Sequence, residues 1–564
     1  MTTRSHAIWA GLIAISLGAS CSSDGDGGDD TPTPSAGGGG AVGGGQGAGA
    51  PGGAGGGGGR GEDPCEPFGR FSAPENTFVL PTDTTTSYPD LQAAFPEVDW
   101  ARLDRLYIPA GDYPSLNLGG LPDRDPSRPL VITNLGGQVR IGPNDDGNFI
   151  WSMSGGSHWV LTGRYDPVAQ TGDASVPGHR CADYPNARGQ YGFLSDDAFD
   201  LDAPFLHMGL GVSDASDVEI EFIEVMRSGF AGIRMLNDPL QGRPMANVNL
   251  HDTYVHDVAG EGIYLGWTGG APSSLIPGLE VHHNRFVRTG NEALQVQNLG
   301  DGSHIHHNVM AYAALHWRDN ELGAFQDFNG QIQMRTGSVV IEKNFFIGAA
   351  STLWSSFRTA EAGDGPLHVV YRDNYVSDNR IGLAAFLGGE AGSASSYRFE
   401  GNVFRRIDFS YDEIDPGATD ARTIFRFAAG VTAPVVITGQ RWEGEEALVA
   451  GLDGPNGTVG NVTATDNQNT AVEPASFVDA LTVDPRVLEY WTARQSRAPN
   501  NPVRAYAPGD VVVATDGHLY RATAANSNAP PPTRGDVWER LADPTDDFRV
   551  APGSTYLGWG IDDR

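Results

Sequence analysis

A repeated pattern of alternating apolar residues runs from residue 217 to residue 404 of this 564-residue chain. Each copy reads apolar–x–apolar–x–x–Asn–x–apolar, and the asparagine position returns at intervals of 24 to 36 residues. Alternation with a period of two indicates β-strands, and a repeat of about 20–50 residues indicates a solenoid. The asparagine position is occupied by Asn284, Asn308, Asn344, Asn374 and Asn402, and by Ile223 and Thr253 in two earlier copies. The repeat therefore predicts stacked coils of two or three short strands.

A parallel β-helix is the solenoid that suits coils of this length. Its apolar residues would form one continuous core, with the asparagines stacked about 4.8 Å apart at one bend. A β-sandwich is the alternative, but it predicts hairpin signals such as Asn-Gly every ~8–12 residues. Such signals do not recur regularly here. The sequence thus predicts an all-β protein, a right-handed parallel β-helix over residues 65–490, with residues 164–204 as a long excursion from it.

The amino terminus predicts export. Residues 1–21 contain an apolar run that ends in Leu17-Gly18-Ala19-Ser20-Cys21. This ending resembles that of a bacterial lipoprotein signal, in which the cysteine is lipidated. The resemblance implies that Cys21 anchors an exported protein to the outer membrane or cell surface, with secretion as the alternative. Residues 22–64, rich in Gly, Ala, Ser and Pro, predict a flexible linker.

The charge and cysteine content of the chain limit the classes of molecule that it is expected to bind and the bonds that it can form. The net charge of −33 argues against nucleic acid, which requires a basic stripe on the protein. It also provides no long-range attraction for an acidic glycan, so binding one would need local arginines. Cys65 and Cys181 are the cysteines outside the signal, and in an exported protein they either form a disulfide or remain two thiols.

Residues 502–541 differ in character from the repeat. They contain Y-x-x-G-D-x-V from Tyr506, G-x-x-Y-x-A around Tyr520, and a closing Trp538. This pattern resembles the small chitin-binding-type carbohydrate-binding module. The resemblance implies that the three aromatic residues bind sugar by stacking, with the filling of a small core as the alternative. Residues 546–564 resemble the closing strand and tail of β-helix proteins, so the module would be a small β-sheet inserted near the C-terminus.

Histidines are concentrated on one expected outer face of the repeat. One outward column contains Glu221, His251, His282, His306 and Glu342, and its neighbour contains Asp252, His283, His307 and Lys343. Stacked imidazoles suit proton transfer or metal binding. A solvated stack of turn residues beside the asparagines is the alternative.

A second outward column follows the other part of the coil. It contains Arg234, Tyr264, Gln295 and Gln333, with Glu261 and Glu292 at its edge. The segment 314–329 is longer than its counterparts in other coils and is expected to lie over this face, where sites usually occur. A crossover loop with a buried Trp317 is the alternative.

One coil also resembles an enzyme family. The sequence Gln333-Met334-Arg335-Thr336-Gly337, followed by Glu342-Lys343-Asn344-Phe345-Phe346, resembles the catalytic-arginine rung of β-helix alginate and chondroitin lyases. Asn291-Glu292-Ala293-Leu294 resembles their rung with a calcium-ligand glutamate. The resemblance implies that Arg335 neutralises a uronate carboxylate and that Glu292 helps to bind Ca²⁺. Thr336 replaces the family's histidine, and the turn Asn298-Leu299-Gly300 lacks its base lysine.

These observations favour a polysaccharide lyase that cleaves a uronate-containing glycan by β-elimination. The alternatives are a β-helix glycoside hydrolase with Glu261 and Glu292 as paired carboxylates, and a non-catalytic glycan-binding surface protein. The predicted catalytic residues are Arg335, Tyr264, His316, Glu292 and Glu261. The predicted substrate-binding residues are Gln295, Gln333, Trp317, Arg318, Asp327 and Arg358. We expect a monomer that binds polysaccharide and contacts the membrane only through its lipid anchor.

Overall fold

A computed structural model describes most of the chain between residues 74 and 562. The described ranges are 74–81, 86–143, 149–164, 191–197, 208–236, 245–266, 275–297, 299–316, 328–333, 337–349, 352–358, 366–379, 383–389, 394–407, 423–427, 431, 433–444, 447–449, 457–484, 488–491 and 505–562. All of them belong to one compact unit, Pro67–Arg564. Cys21, Cys65 and Cys181 lie outside the described residues, so the lipidation and the disulfide remain predictions. No helix among the described residues is long and apolar enough to cross a membrane.

The strands form a parallel β-helix, which confirms the predicted fold class. Each coil visits three columns of strands, which we call the first, second and third columns. The first and second columns belong to one 24-stranded sheet, and the third column is a 12-stranded sheet. Every pairing within the three columns is parallel among the described strands, as in β13 (Val248–His251), whose residue Leu250 pairs with Ile220 and Val281.

The first column contains β1 (Thr77–Val79), β7 (Trp159–Thr162), β10 (Val218–Glu221), β13, β16 (Glu280–His282), β19 (Ser303–His306), β22 (Gly337–Glu342), β25 (Leu367–Arg372), β28 (Ser396–Glu400), β31 (Val435–Thr438) and β35 (Val462–Thr465). The second column contains β8 (Phe193–Asp196), β11 (Ile223–Met226), β14 (Tyr254–Val258), β17 (Arg285–Thr289), β20 (Val309–Ala311), β23 (Phe345–Ala349), β26 (Tyr375–Asn379), β29 (Val403–Arg405), β32 (Arg441–Glu443) and β36 (Gln468–Asn469). Two long strands, β3 (Arg105–Tyr113) and β5 (Leu130–Ile141), extend across both, and β34 (Gly457–Val459) pairs antiparallel with β35.

The third column contains β2 (Thr86–Ser87), β4 (Leu116–Gly119), β6 (Phe149–Ser154), β9 (Met208–Ser213), β12 (Ile233–Leu236), β15 (Ile263–Leu265), β18 (Leu294–Gln297), β21 (Phe328–Gln333), β24 (Thr352–Arg358), β27 (Leu383–Gly389), β30 (Thr423–Phe427) and β33 (Ala447–Val449). The first coils are covered by the helix α1 (Tyr88–Ala94), which begins after Ser87, whose Oγ accepts a hydrogen bond from the Asp90 backbone N. Just beyond its end, the ring centroid of Phe95 lies 5.0 Å from that of Phe78 on β1.

Residues with a left-handed backbone form the bend between the first and second columns. They are Asp252, His283, His307, Lys343 and Asp373, with φ between 51° and 55°. Each immediately precedes the asparagine position, so the asparagine follows the left-handed residue and does not itself adopt that conformation. A non-glycine residue rarely adopts this region unless the surrounding structure holds it there. The bend therefore depends on the side chain that follows it.

The predicted asparagine ladder provides that support. The Nδ2 of Asn308 donates to the Oδ1 of Asn344 at 2.9 Å, and the backbone N of Asn308 donates to the same oxygen. The same two bonds link Asn284 to Asn308, Asn344 to Asn374 and Asn374 to Asn402. All five asparagines are fully buried, so these hydrogen bonds satisfy polar groups that water does not reach. Asn308 contacts Asn344 directly, so the 36-residue interval between them contains no additional coil.

The inward positions of the coils form one continuous hydrophobic core. Leu250, Val281, Ile305 and Ile341 stack in register along the first column, and each is almost completely buried. Burial of each such side chain contributes about 1.5–3 kcal/mol, so a stack of coils is stable although a single coil is not. The predicted excursion at 164–204 contains β8, which pairs with β11 in the second column.

The carboxyl-terminal part of the chain covers the outer face of the second column. Asp547–Val550 (β44) pairs antiparallel with Phe477–Asp479 (β37) in a separate two-stranded sheet. This differs from the closing strand expected at 546–564, because β44 adds to no coil of the β-helix. It packs instead over apolar side chains that point outward from the second column: Tyr254, Tyr312, Phe345 and Tyr375 belong to the same buried cluster as Phe548.

The small module has four principal strands: β38 (Glu489–Tyr490), β40 (Val511–Val513), β41 (Leu519–Ala522) and β43 (Trp538–Arg540). A two-stranded pair, β39 (Ala505–Tyr506) and β42 (Asn526–Ser527), completes it. The sheet begins with β38, which lies before the expected start at residue 502. Tyr490 fixes the module to the β-helix, because its backbone N donates to the Leu315 carbonyl at 3.0 Å.

Candidate functional site

The outer face of the third column carries the first candidate site. Register places Arg234, Tyr264, Gln295 and Gln331 side by side on successive strands. The predicted column contained Gln333 at the last position, and this is wrong: Gln333 pairs with Gln297, two residues further along β18. In this register Ile332 pairs with Val296, and both side chains are buried in the core.

Two glutamates lie at the start of this face on adjacent coils. The backbone N of Gly262, next to Glu261, donates to the carbonyl of Glu292 at 2.9 Å, which places the two glutamates opposite each other. Adjacent strands are about 4.8 Å apart, so the two side chains are neighbours. Glu261 is 3% exposed and Glu292 is 1% exposed.

Burial makes the carboxyl group of Glu261 an unusually weak acid. Loss of water raises its pKa to about 7, although a hydrogen bond from the Asn291 side chain and the charge of Arg234 oppose the shift. Its Oε2 has no hydrogen-bond partner among the described residues. At neutral pH this carboxyl group therefore keeps a proton for a large part of the time, as a general acid must.

The described ends of the long segment 314–329 lie near the coil that contains Glu292. His316 is 3% exposed, and its backbone N donates to the Gly290 carbonyl at 3.0 Å, two residues before Glu292. Its ring lies 5.0 Å from that of Tyr490, so the segment that leads into the module closes over it. At the other end, β21 begins at Phe328, and its residue Gly330 pairs with Leu294, two residues after Glu292. The residues between them, 317–327, lie outside the described part of the chain.

Several predicted site residues cannot be placed. Arg335, Trp317, Arg318 and Asp327 lie outside the described residues, as do the side chains of Gln333 and Arg358. Among the predicted residues that the structure describes, Tyr264, Gln295, Glu261 and Glu292 come together on one face. Tyr264 is half-buried there, with its ring 6.0 Å from that of Phe230.

The outer face of the first column carries a second candidate site. The rings of His251, His282 and His306 stack on successive coils with centroids 4.7 and 4.9 Å apart. Behind them His283 and His307 occupy the left-handed bend, and each bonds through Nδ1 to the Nδ1 of the preceding histidine at 2.7 Å. The predicted histidine stack is therefore present as two parallel columns.

The stacked histidines differ in charge. Burial lowers the pKa of His251, but hydrogen bonds to Asp252 and Glu219 outweigh it and raise the pKa to about 10. Burial, together with the charges of the neighbouring His251 and His283, lowers the pKa of His282 to about 2. His251 is thus an imidazolium held between carboxylates, whereas His282 is neutral.

Sequence reasoning missed two residues of this face, Glu280 and His304. They pair directly across β16 and β19, next to His282 and His306. The signal was present in Glu280-Val281-His282 and in His304-Ile305-His306, because residues two apart on a strand share a face. Together with His306 they bring three ligand atoms within 4.8 Å of one another, and Glu219, Glu221 and His251 form a second such group.

Comparison with known proteins gives likeness of fold alone. No family model matches the chain, and no curated protein matches it. Among solved structures, an alginate lyase from Paenibacillus sp. str. FPU-7 is 13% identical, with a TM-score of 0.36, over 58% of this chain and 95% of that one. Pectate lyase Pel9A is 12% identical, with a TM-score of 0.38, over 81% and 82%. A hyperthermoactive exopolygalacturonase from Thermotoga maritima is 11% identical, with a TM-score of 0.29, over 66% and 82%.

The aromatic residues of the module fill its core. Tyr506 and Trp538 lie with ring centroids 5.1 Å apart and are each 3% exposed. The Nε1 of Trp538 donates to the Ala529 carbonyl at 2.8 Å, and the hydroxyl of Tyr520 donates to Asp516 at 2.7 Å. Trp491 packs in the same cluster. The faces of these rings are covered and cannot stack on a sugar. The structure therefore agrees with the alternative that the three aromatic residues fill a small core.

Proposed function

We propose that this protein is an enzyme that cleaves glycosidic bonds of a polysaccharide on the outer face of the third column, with Glu261 as the proton donor. One observation carries the proposal: Glu261 and Glu292 face each other on adjacent coils, and the pKa of Glu261 is raised to about 7. Pairs of carboxylic acids whose environments differ are the usual means of cleaving such bonds.

The pair supports hydrolysis with retention of configuration. Glu261 donates its proton to the leaving oxygen as the bond to the anomeric carbon breaks, and the Glu292 carboxylate bonds to that carbon. Glu261, now ionised, then takes a proton from the water that releases the sugar from Glu292. Retaining enzymes hold the two carboxyl groups about 5–5.5 Å apart, close to the spacing of adjacent coils.

β-Elimination, which the sequence favours, is the second candidate. It is supported by the placement of Arg234 directly beside Tyr264 on the outer face. A guanidinium matches a uronate carboxylate, and a phenol next to it is placed to exchange the proton on the neighbouring carbon. Arg335, to which the lyase resemblance assigns carboxylate neutralisation, would serve the same reaction.

Calcium remains a proposal for the same face. Carboxylate oxygens are the donors that Ca²⁺ prefers, and Glu292 with Glu261 would supply them. Ca²⁺ takes about 6–8 oxygen ligands, so residues beyond this pair would have to contribute. Bound there, the ion would neutralise an acidic substrate group and displace the proton from Glu261.

The test is incubation of the purified protein with a panel of uronate-containing and neutral glycans. Reducing ends and the ultraviolet absorbance of unsaturated sugars are measured in parallel. Hydrolysis gives reducing ends alone, and Glu261→Gln or Glu292→Gln should lower the rate by about 10²–10⁴-fold. Glu97→Gln, at an exposed position remote in sequence, is the matched control.

Unsaturated product would favour elimination instead. Arg335→Ala should then abolish activity, and Arg335→Lys should lose most of it, since lysine keeps the charge but not the planar fork. Binding of a glycan without either product would contradict the proposal and indicate a non-catalytic surface protein.

We further propose that the enzyme works outside the cell, anchored through Cys21. The motivation is the signal-like residues 1–21 and the Gly-rich linker behind them. Cys21→Ala should move the exported protein from the membrane fraction to the soluble fraction. An exported wild-type protein that is already fully soluble would contradict this.

A further inference from the structure

We propose that Glu280, His304 and His306 bind a divalent transition-metal ion of the Zn²⁺ class on the outer face of the first column. This site lies on a different sheet from the carboxylate pair, so it does not depend on the proposed glycan cleavage. The motivation is that two imidazoles and a carboxylate, from β16 and β19, converge on one point.

The distances between the ligand atoms suit a tetrahedral ion. The Glu280 Oε2 lies 3.5 Å from His304 Nδ1 and 3.4 Å from His306 Nε2. Metal–ligand bonds of about 2.0–2.1 Å at tetrahedral angles place two ligand atoms about 3.3 Å apart. Both separations exceed the ~2.7–2.9 Å of a charge-assisted hydrogen bond. The two separations from Glu280 therefore match the spacing of two ligands around one tetrahedral ion.

Each imidazole also has a partner for its other ring nitrogen. His304 Nε2 lies 3.1 Å from Glu342 Oε1, and His306 Nδ1 lies 2.7 Å from His307 Nδ1. A metal-binding histidine almost always donates its second N–H to a carboxylate, a backbone carbonyl or water, which fixes the tautomer and the ring orientation, and Glu342 is such a partner for His304. Glu342 is itself held by Arg372, whose Nε donates to its Oε2 at 2.7 Å. His304 Nδ1 and His306 Nε2 are thus the ring nitrogens that face Glu280.

The site is open to solvent on one side. The side chains of His304, His306 and Glu280 are 29%, 17% and 39% exposed. Three protein ligands with an open fourth position are typical of a zinc ion that keeps a water molecule. Mixed imidazole and carboxylate ligands suit Zn²⁺ and its neighbours more than Ca²⁺ or Mg²⁺, which take oxygen ligands.

The neighbouring group around His251 is less suited. His251 Nδ1 lies 2.7 Å from Asp252 and its Nε2 lies 2.7 Å from Glu219, so both ring nitrogens are already engaged by carboxylates. An imidazolium has no lone pair for a metal. The group on β16 and β19 is therefore the one to which we assign the ion.

The test is titration of the full-length protein with Zn²⁺ against a chromophoric chelator, and with Co²⁺ followed by its visible absorption. Wild type should bind one equivalent, and Co²⁺ should give the intense bands of a tetrahedral site. His304→Ala and His306→Ala should each weaken binding at least 100-fold, and Glu342→Gln should weaken it about 10–100-fold. Each variant's fold is checked by circular dichroism, and His304→Gln replaces His304→Ala if the latter unfolds.

His368→Ala is the matched control. His368 is an exposed histidine on β25, in the same column, and its Nδ1 lies 2.8 Å from the Ser396 hydroxyl. Its removal should leave Zn²⁺ affinity unchanged. Zn²⁺ should also raise the unfolding temperature of wild type and of His368→Ala, but not of His306→Ala. Absence of stoichiometric binding, or equal binding by wild type and folded His306→Ala, would overturn the proposal.

Discussion

Arg288 and Asp546 form a fully buried ion pair, with Nη2 2.6 Å from Oδ2, although 258 residues separate them in the sequence. Asp257 binds the same guanidinium from the other side, Nε to Oδ1 at 2.6 Å. Tyr254 donates its hydroxyl to Asp546, and Arg285 donates to the Asp546 carbonyl at 2.9 Å. The carboxyl-terminal segment is therefore attached to the second column by a network of charges that water does not reach.

Asp546→Asn should destabilise the protein by about 3 kcal/mol, because it leaves the buried charge of Arg288 with one carboxylate in place of two. Urea unfolding measures the effect. Asp543→Asn, three residues away but exposed, is the control and should cost less than about 1 kcal/mol. Equal effects of the two substitutions would show that the buried pair contributes nothing beyond a surface pair.

Asn344→Ala should lower the free energy of unfolding by about 3 kcal/mol. It removes the oxygen that accepts two bonds from Asn308 and the donor to the Ile305 carbonyl, and it leaves buried groups unpaired. Thermal unfolding of Asn344→Ala and of Asn469→Ala provides the comparison, since Asn469 is exposed at the last coil. Equal unfolding temperatures of the two variants would show that a buried asparagine of the ladder contributes no more to stability than an exposed one.

Glu261→Gln should stabilise the protein at alkaline pH. The pKa of Glu261 is raised from 4.5 to about 7 in the folded state, so its contribution to stability is complete below about pH 4.5 and is lost as pH rises through 7. A neutral glutamine avoids that loss and should gain on the order of 2–3 kcal/mol at pH 8, with no gain at pH 4. Unfolding at both pH values measures it, with Glu97→Gln as control. A gain independent of pH would indicate that the carboxyl group titrates normally.

Trp538→Ala should destabilise the module by about 3–5 kcal/mol, whether or not a sugar is present, because the side chain is part of the core. Limited proteolysis between residues 505 and 541 reports on the module separately from the β-helix. Arg534→Ala, at an exposed position nearby, should leave the cleavage rate unchanged. A Trp538→Ala protein that resists proteolysis but loses affinity for chitin oligosaccharides would return this residue to a sugar-binding role.

The coils were predictable from sequence because each inward side chain packs against the equivalent side chain one coil away. The repeat pattern therefore shows both members of each packed pair. The ladder from Asn284 to Asn402 follows from spacing for this reason. The sequence predicts Gln333 at the position that Gln331 occupies, because β21 follows a long connection whose length does not fix the register of the strand. Residues 193–196 were assigned to an excursion because β8 contains few alternating apolar residues.

The parts of the site that depend on lateral contacts could not be predicted. The sequence does not indicate that the ring of Tyr490 lies against the ring of His316, because the two residues are not at equivalent positions of the repeat. Glu261 was selected for its position, but its raised pKa depends on burial by neighbours whose packing only the structure shows. Glu280 and His304 lie two residues before His282 and His306 on the same strands, but the sequence alone does not show that β16 and β19 bring these side chains together.

The partnership of Arg288 with Asp546 also sets an order of events during synthesis. At about 5–20 residues per second, a ribosome needs roughly 13–50 seconds to progress from the codon for Arg288 to that for Asp546. Until Asp546 has been synthesised, Arg288 lacks one of the two buried carboxylates that pair with it in the folded protein, and Asp257 is the other. A chain truncated just before Asp546 would keep the coils and would lose both this counter-charge and the part of the cover that contains Phe548. Asp546 and the residues beside it therefore supply the second column with a buried counter-charge and an apolar cover that the coils do not provide by themselves.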